Sequence, residues 1–394
     1  MKNYKIVVIS KSYEAALGVA RSLKLAGFIH IDLYFVGRAN IAFRSNVFEA
    51  KYNYTKRNDE EIVCQLIDIY GGSKCFLFPC DDYTTSLADR FREKLESIFA
   101  YTYVDGHKSG AITHLMDKDY QTVLAKEFNL PMAKSWEIVC ENGAYQIPSD
   151  MVYPCFVKPL VSANGAAKSV IGKCDSAEHL QSYLATHVKS GINFPLIVQE
   201  YIHIEEEFNI HGICDGENFI LPIIHKKLAT ANFNKGVTVL GKNLNPCILK
   251  PQLEKLEKLL KATGYHGIFN VEMFVSKGTV YLNEINFRIA GTCWGATGAN
   301  VNIPYLWIKT LMGEFGKWEP VTPKFDTVFI NDKTAFEDWT KGYSNIFQFI
   351  RWNRQADYHL ILCKWDSAPY KTFVKAMLKI WVGQKLFRFK KHLK

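Results

Sequence analysis

The sequence lacks several patterns that would place it in a familiar class. None of its ten cysteines forms a CxxC pair, which argues against a structural zinc site and is typical of reduced thiols in a cytoplasm. No apolar run reaches the roughly 18–20 residues that a membrane-spanning helix needs. No GxGxxG follows the first predicted strand and GK[ST] is absent. We therefore predict neither a dinucleotide-binding turn nor a Walker A loop.

Acidic residues are missing from the C-terminal stretch Lys371–Lys394, which contains eight Lys or Arg. Because the whole chain has a net charge of +9, the rest is close to neutral, and nucleic-acid binding is not expected. Four apolar residues fall at helical spacing opposite three lysines: Val374, Met377, Leu378 and Trp381, against Lys371, Lys375 and Lys379. We expect this helix to pack its apolar side on the protein. Contact of residues 371–394 with the inner face of an anionic membrane is the alternative.

The 394 residues suffice for two or three domains, and a 48% hydrophobic, 22% charged composition is ordinary for a soluble enzyme. Tyr4–Ile9 is predicted to be a first strand rather than part of a signal peptide. A helical pattern follows, then strands at Ile29–Val36 and Lys74–Phe78. This alternation predicts a doubly wound parallel sheet that binds ligands at the carboxyl ends of its strands. Asp81 and Asp82 would lie at that edge, where a helix cap is favoured over substrate contact.

Two strands, about Ile268–Val275 and Thr279–Phe287, are predicted to form a hairpin through the turn Ser276-Lys277-Gly278. A three-residue turn would place Asn270 opposite Glu284. Alternation along the strands then puts five polar side chains on one face: Asn270, Glu272, Glu284, Asn286 and Arg288. Oxygen ligands of this kind suit Mg²⁺ held against substrate phosphates. The alternative is a solvated charged face, and a one-residue slip would scatter the cluster.

Two lysines stand where phosphate groups could bind. Asp117 is a good N-cap for a helix at Lys118–Phe128; a cation at that helix start is disfavoured unless a phosphate lies nearby. Lys158 ends a predicted strand and precedes the small-residue loop Ser162–Lys168, whose backbone N–H groups could bind phosphates. An ordinary strand and flexible turn would look similar.

Glu200 lies in the otherwise apolar run Leu196–Ile202, so it needs a partner if the strand is buried. Glu207 follows seven residues later. A further helix is predicted at Gln252–Thr263, with Pro251 at its first position.

In their order and spacing these residues resemble the ATP-grasp superfamily, from about Leu115 to Gly313. The resemblance implies an α/β fold of α+β subdomains, preceded by the doubly wound parallel sheet of a pre-ATP-grasp domain. The implied domains are residues 1–112, then an ATP-grasp domain at 113–322 with a small lid subdomain at about 148–225, and a C-terminal extension at 323–394.

The resemblance also implies a role for each matching residue. Phosphate binding falls to Lys118 and Lys158, with Ser162, Gly165 and Lys168 of the glycine-bearing loop. Adenine recognition falls to Glu200, Tyr201 and Ile202, and ribose recognition to Glu207. Two Mg²⁺ ions, or Mn²⁺ in their place, would be held by Glu272, Glu284 and Asn286. Arg288 and Lys227 would take part in catalysis.

Within the superfamily, "VYPCFVKP" and "NEINFRIAGT" look most like carboxylate–amine ligases of the D-aspartate ligase type, which are also described as carbamoyl-phosphate-synthase-like. That likeness implies activation of a carboxylate by ATP as an acyl phosphate and transfer to an amine, such as an amino acid or a cell-envelope precursor. The alternatives are a bicarbonate-using enzyme that makes carboxy- or carbamoyl-phosphate, and a nucleotide-binding scaffold without catalysis.

Two absent motifs and one departure bear on what the likeness implies. Neither the glycine-rich substrate segment of D-alanine–D-alanine ligases nor a biotinyl Met-Lys-Met motif is present. Such relatives often have Lys-Leu-Arg where this chain has Lys227-Leu228-Ala229, which leaves the substrate open. A cytoplasmic location is expected, and a homodimer is left open.

Overall fold

The computed structural model describes residues 4–56, 58–141, 144–159, 172–189, 196–232, 236–316 and 322–392. The chain divides into two compact units. The first comprises Met1–Asn129, Glu206–Met273 and Glu284–Lys394, and the second comprises Leu130–Glu205 and Phe274–Asn283. The domain boundaries predicted from the sequence stay a prediction.

The first unit begins with a five-stranded parallel sheet. Its strands are β1 (Lys5–Ser10), β2 (Ile31–Val36), β3 (Lys51–Tyr54), β4 (Cys75–Pro79) and β5 (Phe99–Ala100), in the order β3-β2-β1-β4-β5. The helices between them are α1 (Tyr13–Leu25), α2 (Asp59–Tyr70), α3 (Asp82–Arg90) and α4 (Arg92–Leu95). The predicted doubly wound parallel sheet is confirmed, although β3 and β5 were not predicted.

Both faces of this sheet are buried. Ile6 and Val8 of β1 belong to one hydrophobic cluster, and Val7 and Ile9 belong to another. Because successive side chains point to opposite faces, an apolar strand of this kind is buried between two helical layers.

At the carboxyl edge, Asp81 caps α3 by accepting a hydrogen bond from the Thr84 N–H at 3.0 Å. Asp81 also accepts a hydrogen bond from the Ser10 hydroxyl at 3.1 Å, which joins the ends of β1 and β4. The predicted helix cap is confirmed for Asp81.

Three short elements follow: β6 (Tyr103–Val104), α5 (Ala111–Leu115) and α6 (Lys118–Glu127).

The second unit is built on a four-stranded antiparallel sheet with the order β11-β10-β12-β7. Its elements are β7 (Ser135–Ile138), β8 (Cys140–Glu141), β9 (Ala144–Tyr145), β10 (Cys155–Pro159), β11 (Gly172–Cys174), α7 (Ala177–Lys189) and β12 (Leu196–Glu200). Leu180 and Leu184 of α7 pack with Val157 and Val198 of the sheet to form the core.

A large sheet of eight strands follows, and all of it except residues 274–283 belongs to the first unit. The strands added here are β13 (Glu206–Asp215), β14 (Phe219–Thr230), β15 (Thr238–Leu244), β16 (Tyr265–Ser276), β17 (Thr279–Asn286), β18 (Val328–Ile330) and β19 (Tyr358–His359). The path is β17-β16-β13-β14-β15-β18-β19, and β6 pairs with β16. The helices are α8 (Lys250–Ala262), α9 (Cys293–Gly298) and α10 (Ile303–Leu311). The helix predicted at Gln252–Thr263 is confirmed as α8, with its start two residues earlier.

The hairpin of β16 and β17 is present, but its loop is shorter than predicted. Only Lys277 and Gly278 separate the strands, and both have positive φ, 47° and 73°. This is the pattern of a two-residue type I′ turn, whose twist matches that of the flanking strands. The predicted three-residue turn was therefore wrong. The pairing of Asn270 with Glu284 was deduced from that turn and no longer follows.

Three helices form the C-terminal part: α11 (Asp332–Thr340), α12 (Ile346–Gln355) and α13 (Ala368–His392). Phe373 is buried, Val374 and Met377 pack beside it, and Trp381 stacks on Trp339 at 5.8 Å. The expected packing of this helix on the protein is thus confirmed. It was wrong for Leu378, which is 41% exposed, because one residue past Met377 the helix has turned by about 100°.

A buried ion pair joins the segment before α13 to α1. Arg21 and Asp366 are fully buried, with 3.0 Å between Nε and Oδ2. Asp366 also accepts a hydrogen bond from the Ser45 hydroxyl, and Arg21 donates to the carbonyl of Ile361. Buried charges need such complete pairing, so these contacts define where the C-terminal part packs.

Candidate functional site

A polar cavity of about 260 Å³ lies within the first unit. Its lining includes amides, a carboxylate and two cations from four different segments: Asn209, Lys227, Asn270, Glu272, Asn286 and Arg288. Four of the five side chains that the hairpin was predicted to gather therefore do converge. Glu284 lies apart from this lining, beside α6.

Arg288 is held rigidly at this cavity. Its Nε and one terminal nitrogen donate to the two carboxylate oxygens of Asp82 at 2.5 and 3.2 Å, and the same terminal nitrogen donates to Asn286 Oδ1 at 3.0 Å. Burial lowers the pKa of the Arg288 guanidinium, but the hydrogen bond and charge of Asp82, with Glu284 and Asp81, raise it above its usual value. Asp82 therefore orients the arginine that the sequence predicted to be catalytic.

Lys227 lies almost completely buried between two carboxylates. Its side chain is 5% exposed, and its Nζ lies 3.6 Å from Glu207 Oε1 and 3.6 Å from Glu272 Oε2. It also donates to the carbonyl of Gly236 at 2.8 Å. A cation fixed between two carboxylates is well placed to meet an anionic group that enters the cavity.

Lys118 and Glu284, which were predicted to bind phosphate and metal, lie close to each other outside the cavity lining. Lys118 is the first residue of α6, whose N-cap Asp117 accepts a hydrogen bond from the Tyr120 N–H. Its Nζ lies 3.6 Å from Glu284 Oε2, and both side chains are partly exposed. The predicted cap is confirmed, and the lysine that was unfavourable at a helix start lies beside a predicted metal ligand.

Gln121 explains how α6 and β17 keep this alignment. Its buried amide donates to the carbonyls of Ile285 at 2.7 Å and Leu115 at 3.0 Å, and accepts from the Ile285 N–H at 2.9 Å. It therefore binds both the N–H and the carbonyl of Ile285, the residue next to Glu284. Nothing in the sequence signals this role.

Two buried oxygens in the cavity have no hydrogen-bond partner among the described residues: Asn209 Oδ1 and Thr292 Oγ1. Asn209 is 7% exposed. Buried polar atoms are rarely left without a partner, so each implies a ligand or water as partner. Asn209 was not predicted, although it lies two residues after Glu207 and hence on the same face of β13.

Next to Asn209 on the sheet lies a pair of buried histidines: His225 is its pairing partner on β14, and His211 follows two residues later on β13. His211 Nε2 and His225 Nδ1 are 2.9 Å apart. Burial lowers the pKa of His211 to about 3, and burial together with the charge of His211 lowers that of His225 well below its usual value. Both rings are therefore neutral near pH 7 and add no charge to the sheet.

Lys158 and Glu200, two of the residues predicted to bind the nucleotide, lie on the antiparallel sheet of the second unit. Lys158 of β10 donates to Gln199 Oε1 on β12 at 3.0 Å. At the end of β12, Glu200 is only partly buried, so the condition under which it would need a partner is not met; the Lys134 N–H donates to its Oε2 at 3.2 Å.

The Tyr201 N–H donates to the Pro154 carbonyl at 2.9 Å. Because this N–H is already paired, the backbone groups left for the predicted contact with the adenine edge are the carbonyl of Tyr201 and the N–H of Ile202. Ser162, Gly165 and Lys168 lie outside the described residues, so their predicted role stays a prediction.

The donor set fits Mg²⁺ in its chemistry. Glu272 and Glu284 offer carboxylates and Asn286 an amide oxygen, and Mg²⁺ commonly takes one or two carboxylates together with substrate phosphates. No cluster of three or more His, Cys, Asp or Glu able to hold a metal occurs among the described residues. A metal site that is completed by phosphate oxygens does not need such a cluster. Lys118 lies beside Glu284 and Lys227 beside Glu272, so a positive charge is favoured next to both carboxylates.

Comparison with known proteins gives a consistent result. The ATP-grasp domain family matches residues 123–299, and Lys118 lies just before the matched region. The large chain of carbamoyl phosphate synthase from Methanospirillum hungatei is 23% identical over 233 residues, which cover 58% of this chain and 22% of that one. The C-terminal section of the carbamoyl phosphate synthase large chain from Methanocaldococcus jannaschii is 24% identical, over 55% of this chain and 35% of that one. The matches thus span about a fifth to a third of these relatives.

Solved structures share the fold. L-amino acid ligase from Bacillus licheniformis superposes with a TM-score of 0.60 at 14% identity, over 82% of this chain and 78% of that one. Carboxyaminoimidazole ribonucleotide synthase from Aspergillus clavatus, complexed with ATP, has a TM-score of 0.60 at 16% identity, over 84% and 83%.

The biotin carboxylase domain of 2-oxoglutarate carboxylase from Hydrogenobacter thermophilus, with MgADP and bicarbonate, has a TM-score of 0.60 at 18% identity, over 82% and 73%. Residues 123–299 are therefore an ATP-grasp domain, in a chain with carbamoyl phosphate synthase-like relatives and ATP-grasp structural neighbours.

Proposed function

We propose that the protein is an ATP-dependent ligase that activates a substrate carboxylate as an acyl phosphate and joins it to an amine. The observation that supports this best is the polar cavity in which Glu272, Asn286, Lys227 and the anchored Arg288 meet. Charge of both signs, held in fixed positions, is what stabilisation of a phosphoryl-transfer transition state requires.

In this proposal each part of the nucleotide is bound by a different set of residues. Lys118 and Lys158 contact phosphate oxygens, the end of β12 at Glu200 binds the adenine, and Glu207 binds the ribose. Glu272, Glu284 and Asn286 would hold Mg²⁺, which when bound neutralises charge on the phosphates. The number of ions and the use of Mn²⁺ are parts of the same proposal.

The reaction proceeds in two steps. A carboxylate oxygen attacks the γ-phosphorus of ATP in line, and the bond to the bridging oxygen breaks to release ADP. The amine nitrogen then attacks the acyl carbon, phosphate leaves, and the amine loses a proton. Arg288 stabilises the oxyanion that develops on the acyl group, and Lys227 binds the anionic group that approaches Glu272.

The cavity favours small polar substrates. At about 260 Å³ it lies below the usual size range of pockets for drug-sized ligands. Amide oxygens such as Asn209 Oδ1 can accept hydrogen bonds from an amine, and Arg288 can pair with a carboxylate. An amino acid or a small envelope precursor matches this chemistry.

A second candidate is the formation of carboxy- or carbamoyl-phosphate from bicarbonate. The small cavity favours it, as does similarity to carbamoyl phosphate synthase and to a carboxylase domain determined with bicarbonate. Release of ADP that depends on bicarbonate, and on no organic acid, would identify this reaction.

The test is a screen of ADP release over pooled carboxylates, with hydroxylamine as the trap. Hydroxylamine converts an acyl phosphate into a hydroxamate, which identifies the activated acid before the amine is known. Glu284→Gln should abolish turnover and leave the fold intact, whereas Glu254→Gln on an exposed position of α8 should change neither. Near-normal ADP release from Glu284→Gln would contradict the proposal.

A further inference from the structure

The helix α12 exposes an apolar face with basic flanks. Ile346, Phe347 and Ile350 are 39%, 78% and 40% exposed, and Arg351 and Arg354 are exposed beside them. The opposite side of α12, with Trp352, is buried. Residues 341–355 contain no Asp or Glu. An exposed phenylalanine between two isoleucines is unfavourable in water unless something covers it.

The helix α13 also exposes apolar side chains together with basic ones. Phe373, Val374, Met377 and Trp381 pack inward. The outward face alternates apolar and basic side chains: Lys371, Lys375, Leu378, Lys379 and Val382, all exposed. Packing of the inner stripe therefore does not use the outer face.

One aromatic core joins the two helices through α11. Phe336 contacts Phe349 of α12 at 5.9 Å and Phe373 of α13 at 5.8 Å between ring centroids. Trp339 stacks on Phe349 and on Trp381. The exposed faces of α12 and α13 thus belong to one packed module, which we call the C-terminal surface.

Charged groups around this module do not cancel its positive charge. Glu337 lies 3.2 Å from Lys341, and Asp357 accepts a hydrogen bond from the Val328 N–H. Asp366 is buried against Arg21. In the sequence, Lys371–Lys394 contains eight basic residues and no acidic ones, so the partner of this surface should be anionic.

We propose that the C-terminal surface binds peripherally to an anionic lipid bilayer. Phe347, Ile350 and Leu378 would enter the headgroup boundary, while the lysines and arginines pair with lipid phosphates. No helix in the described part of the chain is long and apolar enough to cross a membrane, so the contact is with the surface. Exposed apolar side chains among the basic ones favour a bilayer over a nucleic acid, whose phosphates require only the basic groups. The inference does not depend on the proposed ligase reaction.

The first test is flotation of the full-length protein with vesicles. Vesicles of equal parts phosphatidylcholine and phosphatidylglycerol should carry the protein upward at low salt, and vesicles of phosphatidylcholine alone should not. Phe347→Asp should reduce binding on the order of tenfold or more, because it removes an apolar anchor and adds repulsion. Leu25→Asp, at a 58% exposed leucine ending α1, should bind like the wild type.

A second pair of variants tests the charges. Reversal of three outward lysines should release the protein from anionic vesicles: Lys371→Glu, Lys375→Glu and Lys379→Glu. Reversal of three exposed lysines elsewhere should not: Lys24→Glu, Lys94→Glu and Lys108→Glu. All variants should keep the wild-type far-ultraviolet circular dichroism and midpoint of chemical denaturation, which shows that they are folded.

Three results would overturn the inference. The first is no flotation of the wild type, or equal flotation with neutral vesicles. The second is a dimer in analytical ultracentrifugation that Phe347→Asp abolishes, since the surface would then bind a second copy of the chain. The third is binding to mixed-sequence DNA that survives Phe347→Asp, which would identify recognition of phosphate alone.

Discussion

Replacing Gln121 by leucine tests whether a buried amide keeps the proposed active site aligned. Gln121 makes three hydrogen bonds to backbone groups of Leu115 and Ile285 and is 2% exposed. Leucine has a similar size but no polar atoms. At a net ~1 kcal/mol per hydrogen bond, the free energy of unfolding should fall by about 3 kcal/mol, and by more if the three backbone groups stay without partners.

The substitution should lower kcat by more than a loss of stability alone would. Gln121 holds the backbone next to Glu284, whose Oε2 lies 3.6 Å from the Nζ of Lys118 on the same helix as Gln121. A displacement on the order of 1 Å in a reactive site can cost about 100-fold in rate. We therefore expect kcat for ADP release to drop by roughly 10- to 100-fold at a temperature where Gln121→Leu is still folded.

The assay combines chemical denaturation with steady-state ADP release. Val123→Ala is the matched control, because Val123 lies on the same helix and is 62% exposed; it should change neither quantity appreciably. A Gln121→Leu variant with wild-type kcat would refute the positioning role, even if its stability were lowered. Unchanged stability as well would refute the hydrogen-bond reasoning.

Three further predictions concern the first unit. Asp366→Ala should lower the free energy of unfolding by about 3–5 kcal/mol in chemical denaturation, because it leaves the Arg21 guanidinium buried without its carboxylate. Both buried histidines have a pKa lowered by burial, His211 to about 3. Their stability contribution is complete above the unfolded pKa of ~6.5 and is lost as the pH falls towards 3, by about 1.4 kcal/mol per pH unit for each ring. His211→Gln should therefore reduce the slope of unfolding free energy against pH, and an unchanged slope would show that the ring is accessible to protons. Lys227→Met should lower kcat for ADP release while far-ultraviolet circular dichroism stays unchanged, and wild-type turnover would remove Lys227 from the proposed machinery.

Several local features could be predicted from the sequence because neighbouring residues determine them. Asp117 and Asp81 are caps because their side chains accept hydrogen bonds from N–H groups three residues later. The hairpin strands were predictable from alternation of apolar and polar side chains. The hairpin loop was not, because a Lys-Gly pair with positive φ at both residues forms a shorter turn than the three-residue one expected.

Capping, alternation and helical spacing act over a few residues, so the chemical groups and the strands and helices that present them follow from the amino-acid sequence alone. Which of these groups meet depends on the packing of distant segments. Asp82 orients Arg288 across 206 positions of the chain, Gln121 grips Ile285 across 164, and the packing of α13 directs some apolar side chains inward and leaves Leu378 exposed. Contacts between distant segments depend on how the sheets and helices pack, and no local pattern encodes them.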